Sequence, residues 1–137
     1  MKELIVKVEE FHKIFGLEET QNYKLNPHCC TLRKELMREE NQEYLDACAA
    51  NDDVAIADAL GDMLYILCGT IIAHNMQGKI VEVFHEIHRS NMSKLEDGKV
   101  LLREDGKVKK GKDYFKPNIK QILENGKTSE EDNKKEG

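Results

Sequence analysis

A chain of 137 residues has room for one domain with a core of its own, and with 34% charged residues, few aromatics and no Trp it suits a helical bundle with solvated outer faces. A formal charge of -5 argues against nucleic-acid binding by bulk electrostatics, and four cysteines without a CxxC spacing argue against a disulfide framework or a zinc ribbon. Met1-Lys2-Glu3-Leu4 carries charges where a signal peptide has its apolar stretch, and the longest apolar run, Met63 to Ala73, is short for a bilayer and holds Gly69 and Thr70. These features predict a soluble, cytoplasmic protein with reduced thiols and no membrane partner.

In chain order, Leu4, Val8, Phe11, Ile14 and Phe15 mark a first helix over about residues 2–15, ending near Gly16. Residues 17–28, with Asn22, Asn26 and Pro27, read as a loop. A second helix is predicted from near Thr31 to about Ala50, its apolar positions Leu32, Leu36, Met37 and Ala47 sharing a side with its acids. Asp52-Asp53 suits the positive end of a third helix that runs to about Asn75 and, being apolar nearly all round, is expected to be central. A fourth helix covers roughly Lys79 to Lys94.

Lys99 to Lys120 then carries eight basic residues against three acids, and its Asp105-Gly106 dipeptide predicts a short β-hairpin or an extended basic segment over about 99–117. Asn118 is placed to cap a last short helix to Glu124. The polar residues 126–137 are predicted to be a disordered tail, leaving 1–125 as one helical domain.

Two acidic clusters stand out. Glu39, Glu40 and Glu43 recur at three and four residues on the second helix, and Asp58 and Asp62 lie four apart on the third. That spacing gathers carboxylates on one side of each helix, where they repel unless a cation sits between them. Asp58 and Asp62 are set among Ile56, Leu60, Leu64 and Ile66, and buried aspartates are seldom unpartnered. Ala57, Ala59 and Gly61 permit close approach of another helix or a ligand, and the third helix offers no Lys or Arg to neutralise the acids. A hard divalent cation with oxygen ligands is the expected partner. A solvated acidic face is the competing reading of the second helix alone. Glu9-x-x-His12 and Glu82-x-x-His85 also imitate a di-iron or di-manganese carboxylate bundle, although both helices are short for it. His28, His74 and His88 read as surface or loop residues.

Glu39-Glu40-x-x-Glu43 followed by Asp62-Met63-Leu64-Tyr65 resembles the all-α nucleoside triphosphate pyrophosphohydrolases, the superfamily of MazG, the dimeric dUTPases and phosphoribosyl-ATP pyrophosphohydrolase. The stretch from Glu86 through Asn91 and Lys94, and the tail from Arg103 to Tyr114, are similar to the phosphoribosyl-ATP pyrophosphohydrolase-like branch, so that the resemblance covers about residues 30–117. One position departs: the Glu usual three residues before the motif Asp is Ala59, with Asp58 the nearest acid and Ala55 three before it.

The resemblance implies a MazG-like bundle that cleaves a nucleoside triphosphate between its α and β phosphates, giving a nucleoside monophosphate and pyrophosphate. It implies Mg2+, with Mn2+ as a possible substitute, held by Glu40, Glu43 and Asp62, with Asp58 a less regular ligand. Glu39 is either a further ligand or the base that orients the attacking water, and Glu43 is the residue whose loss should abolish turnover. Asn91 and Lys94, with Lys107, Lys110 and Tyr114 in the basic segment, are the candidate substrate contacts, although the lysines read equally as a solvated hairpin. No glycine-rich phosphate loop is present. The apolar third helix further predicts a homodimer or a dimer of dimers. A non-catalytic interaction module with a degenerate metal site is a further alternative, which the departure at Ala59 keeps open.

Overall fold

The computed structural model describes residues 1–125 and is all-α among them, in two compact units, Met1–Gly78 and Lys79–Gly137, the second described to residue 125. The predicted disordered tail lies outside the described residues.

The first unit holds α1 (Lys2–Ile14), α2 (Cys29–Ala49) and α3 (Asp53–Ala73). Each ends in the same way. Gly16, Asn51 and Asn75 adopt positive φ angles of 67°, 53° and 55°. The amides of Leu17, Asp52 and Met76 reach back to the carbonyls of His12, Ala47 and Ile71 at 2.8, 3.2 and 3.1 Å. These are Schellman closures, with glycine or asparagine where the left-handed backbone requires it. Asp52 then caps α3, its side chain accepting from the amides of Val54 and Ala55 at 3.1 Å each. Three residues, 50–52, therefore suffice to stop one 21-residue helix and start the next back along it.

α3 packs against both α1 and α2, which makes it the centre of this unit. Its 21 residues are long and apolar enough, on mean hydropathy, to cross a membrane. The expectation from the shorter run Met63–Ala73 is corrected to that extent, because the helix continues apolar through Val54 to Leu60. Length and composition are weak grounds here, since the core helix of a soluble protein passes the same test. On α1 the buried stripe is Ile5, Val8 and His12, while Ile14 and Phe15 are exposed. The predicted stripe is thus rotated: α1 packs mainly on α3, so a narrow line of contact is covered.

The core of this unit includes a cation. Arg33 is only 5% exposed. Its Nε donates to Thr70 Oγ1 at 3.1 Å, Nη1 to Gln21 Oε1 at 2.7 Å, and Nη2 to the Ile66 carbonyl at 2.8 Å. One side chain on α2 therefore ties together the loop after α1 and the middle of α3. Gly69 makes room for it: a Cβ there would lie 2.5 Å from Arg33 Nη2 and 3.2 Å from His12 Nε2. The loop is fastened at its other end by the Tyr23 amide, which donates to the Ala73 carbonyl at 2.8 Å, with Tyr23 stacked 5.0 Å from His74.

In the second unit, α4 (Ile80–Met92) is followed by a segment that folds back on it. Ser90 Oγ donates to the Phe115 carbonyl at 2.8 Å, and the Arg89 guanidinium lies 4.3 Å from the centre of the Phe115 ring. Asn118 caps the last helix, residues 119–125, its Oδ1 accepting from the Gln121 amide at 3.3 Å. The predicted β-hairpin is not supported. Among the described residues Leu102 and Val108 meet in one isolated antiparallel bridge, as do Glu96 and Lys99, and no strand forms. The turn itself closes, Arg103 N donating to Lys107 O at 2.7 Å, with Gly106 at φ 84°. Val100, Leu102 and Val108 are exposed, so no apolar face is covered that would extend the ladder.

Because the guanidinium already fills the space over residue 69, Gly69→Ala is expected to destabilise the protein by about 1–3 kcal/mol through overpacking. Denaturant unfolding of the variant measures this, and an unchanged midpoint would show that Arg33 is not fixed against α3.

Candidate metal centre

Glu40 and Glu43 stand on one side of α2, and Asp62 faces them from the middle of α3. One carboxylate oxygen from each lies within 4.8 Å of the others. The three-residue connection at 50–52 makes this possible, because it returns α3 alongside α2 with little slack in register. Glu40 and Asp62 are half-buried, and Glu43 is exposed. Glu40 Oε2 is sealed from solvent and has no hydrogen-bond partner.

The electrostatics agree with the geometry. Burial pushes the Glu40 carboxyl above its usual range, and the adjacent Glu43 carboxyl and the charges of Asp62 and Asp58 push it further the same way. With all three carboxylates ionised, the buried Glu40 oxygen has nothing to accept from and two like charges beside it, which is an energetic liability without a cation. A divalent cation would resolve it, supplying charge and taking oxygen ligands in one step. The residues present therefore fit a hard metal ion. The donor set contains no histidine; His12 is buried on α1 beside Arg33, and His85 is exposed on α4. That composition suits Mg2+ or Mn2+ chemistry better than a di-iron bundle.

The other sequence-level candidates are placed as follows. Glu39 is exposed and outside the trio. Asp58 is exposed, close enough to act on Glu40 through its charge, and it shares a shallow cavity of about 320 Å³ with Glu43, Ala47 and Ala59. Ala59, at the position where a motif glutamate is usual, is buried there. Asn91, Lys94, Lys107, Lys110 and Tyr114 all belong to the second unit. Within it the Lys94 carbonyl accepts from the Gly111 amide at 3.2 Å, and Lys110 Nζ lies 4.8 Å from the Tyr114 ring centre. Asn91 and Lys107 are exposed.

Next to the trio lies a cavity of about 320 Å³ that reaches from Glu40 and Asp62 to Arg33, Gln21 and His12, with Phe11 and Tyr65 among its walls. Sequence reasoning missed this polar end. The usable signal was that Arg33 keeps helical register with Leu36, Glu40, Glu43 and Ala47, and that Gly69-Thr70 interrupts an apolar helix opposite it. His12 is held below its usual pKa first by burial and then by the charge of Arg33, so it is neutral at physiological pH.

Residues 8–91 match the family model of phosphoribosyl-ATP pyrophosphohydrolase. The chain belongs to that family, and so to the MazG-like all-α pyrophosphohydrolases, whose members generally use a divalent metal. The match spans the metal trio and the cavity beside it and stops within α4, before the basic segment. Comparison with curated proteins gives no match.

Glu40 binds its proton more tightly in the folded chain than in the unfolded one. Its contribution is therefore fully present below the ordinary glutamate value of 4.5 and is lost as pH rises through the raised folded value. In the presence of a chelator, thermal stability is expected to fall over that window. In Glu43→Gln the fall should be smaller and the metal-free protein more stable, by about 0.5–1 kcal/mol. Thermal midpoints across the window check both, and a variant less stable than the parent would mean that the carboxylates do not repel.

Proposed function

We propose that this pyrophosphohydrolase acts on a nucleoside triphosphate, cleaving between the α and β phosphates with Mg2+ and releasing a nucleoside monophosphate and pyrophosphate. The single observation that carries the reading is the convergence of Glu40, Glu43 and Asp62 around the unpartnered Glu40 oxygen. Family membership supports the reaction class.

Glu40, Glu43 and Asp62 are the residues that would hold the metal, with Asp58 completing the acidic rim in place of the glutamate that Ala59 replaces. Bound Mg2+ neutralises phosphate charge and makes water a better nucleophile. Phosphoryl transfer needs positioning and charge compensation more than a protein nucleophile, which suits a site built of carboxylates. Water oxygen bonds to the α phosphorus as the bond to the bridging oxygen breaks, and pyrophosphate leaves with the electron pair. Glu39, exposed beside the trio on α2, takes the proton of the attacking water in this scheme. Asn91, Lys94, Lys107, Lys110 and Tyr114 serve as donors to the substrate, the basic segment supplying charge that the acidic helices lack. Mn2+, which takes the same oxygen ligands, can stand in for Mg2+.

The working form is a homodimer or a pair of dimers in the cytoplasm, without nucleic-acid or membrane partners. Leu60, Leu64 and Leu67 are between 39% and 49% exposed on α3, which favours cover by another surface. Residues 1–125 act as one domain.

Pyrophosphate release from a nucleotide panel with Mg2+ tests the function. Turnover of at least one triphosphate is expected, with Glu43→Gln and Asp62→Asn each lowering kcat/KM by on the order of 10²-fold or more while circular dichroism stays unchanged. Turnover of no triphosphate by protein that binds Mg2+ would leave the non-catalytic module as the answer.

A further inference from the structure

The cavity between the metal trio and Arg33 has two chemically different ends. Glu40 and Asp62 stand at one, and Arg33 at the other is seven residues from Glu40 on α2. Seven residues are two helical turns, about 10 Å along one face. That span is comparable to the reach from a nucleotide's 5′-phosphate to the far edge of its base. Phe11 and Tyr65 supply aromatic walls, their rings 5.7 Å apart at 80°. Aromatic walls accept any base by stacking, so selection falls to the polar end.

The inventory there is unequal. Arg33 has five N–H groups and no acceptor. Three are used, on Thr70, Gln21 and Ile66, and two are left. Since Arg33 can only donate, the Gln21 amide must turn its oxygen toward Nη1, and its NH2 group is the part left over. Among the described residues no hydrogen bond is made by the His12 ring, whose neutral imidazole keeps one nitrogen able to accept. The side chains at this end of the cavity thus leave more donors free than acceptors. An oxo base presents a carbonyl oxygen beside a ring N–H, which this set matches. An amino base presents two N–H groups beside one bare ring nitrogen, so it uses fewer of these donors and turns its NH2 toward the rest.

We propose that this cavity takes the nucleobase, and that Gln21 and Arg33, with His12 accepting, make the site selective for 4-oxo pyrimidines and 6-oxo purines over their amino counterparts. The proposal rests on the triphosphate reading above and goes beyond it by naming the substrate class. A polar site left unpaired by the wrong partner discriminates strongly, and a well-placed pair of hydrogen bonds is worth about tenfold to hundredfold.

Two matched pairs isolate the edge: dUTP against dCTP, and ITP against ATP. The oxo member of each pair is expected to be favoured at least about tenfold in kcat/KM for pyrophosphate release. Equilibrium dialysis of UMP against CMP and of IMP against AMP, with Mg2+, reads the same preference without turnover. Gln21→Glu keeps an oxygen for Arg33 but replaces the free NH2 with a second acceptor, so it should erase or reverse the preference. Gln21 is half-buried in a loop, and circular dichroism verifies that the variant folds. Equal treatment of the pairs, preference for the amino member, undetectable binding of all four monophosphates, or a preference unchanged in Gln21→Glu would each overturn the proposal. Selective binding of UMP and IMP without cleavage of any triphosphate would overturn the proposed reaction and uphold the base pocket.

Discussion

Arg33 is a buried cation whose recorded hydrogen bonds all go to neutral oxygens, those of Thr70, Gln21 and Ile66. Burying a guanidinium is costly, and three charge-assisted hydrogen bonds only partly offset the loss of water. The rest of the first unit is arranged around that expense. Gly69 opens space on α3, Thr70 turns its hydroxyl oxygen to the guanidinium, and the loop after α1 brings Gln21 in from twelve residues away. Two turns along α2 the sign of the charge reverses, at Glu40. The cavity is therefore polarised along its length, donors at one end and carboxylates at the other, and both ends are set by one helix face.

The carboxylate end shows why function and stability oppose each other here. Glu40, Glu43 and Asp62 are held close enough to repel, and one Glu40 oxygen is sealed off without a partner. Such an arrangement persists because the surrounding helices over-determine it. The short connection at residues 50–52 limits the register of α3 against α2, closed on one side by the amides of Ala50, Asn51 and Asp52 and on the other by the Asp52 cap. A divalent cation turns the same repulsion into binding energy. Family membership in the phosphoribosyl-ATP pyrophosphohydrolases gives that cation its chemical context, and the match spans the residues that form the trio.

Much of this was legible in the sequence, for definite reasons. Helix spacing alone puts Glu40 and Glu43 on one face, and an aspartate in the least polar helix needs a partner, so Asp62 could be set opposite them. The helix ends were readable from Gly16 and Asp52, because glycine and aspartate there do jobs that few residues do. Arg33 and His12 were not readable as core residues. A charged residue before an acidic run looks like charge compensation, and only the packing of α3 shows that it points inward. Gln21 sits in a loop with no periodicity, and its role follows from a partner on another element. The hairpin was overread because an Asp-Gly turn specifies a reversal of the chain, whereas a ladder also needs a covered apolar face.

The proposed function depends on three side chains, Glu40, Glu43 and Asp62, acting as one ligand set. Titration with Mn2+, followed by calorimetry and by the loss of the free-ion paramagnetic resonance signal, measures this directly in the parent, in Glu40→Gln and in a control, Asp46→Asn, on the same helix but outside the trio. Saturable binding by the parent and the control, weakened at least about tenfold in Glu40→Gln, is the expected result. Equal Mn2+ affinity in all three proteins, or no saturable binding in the parent, would contradict it.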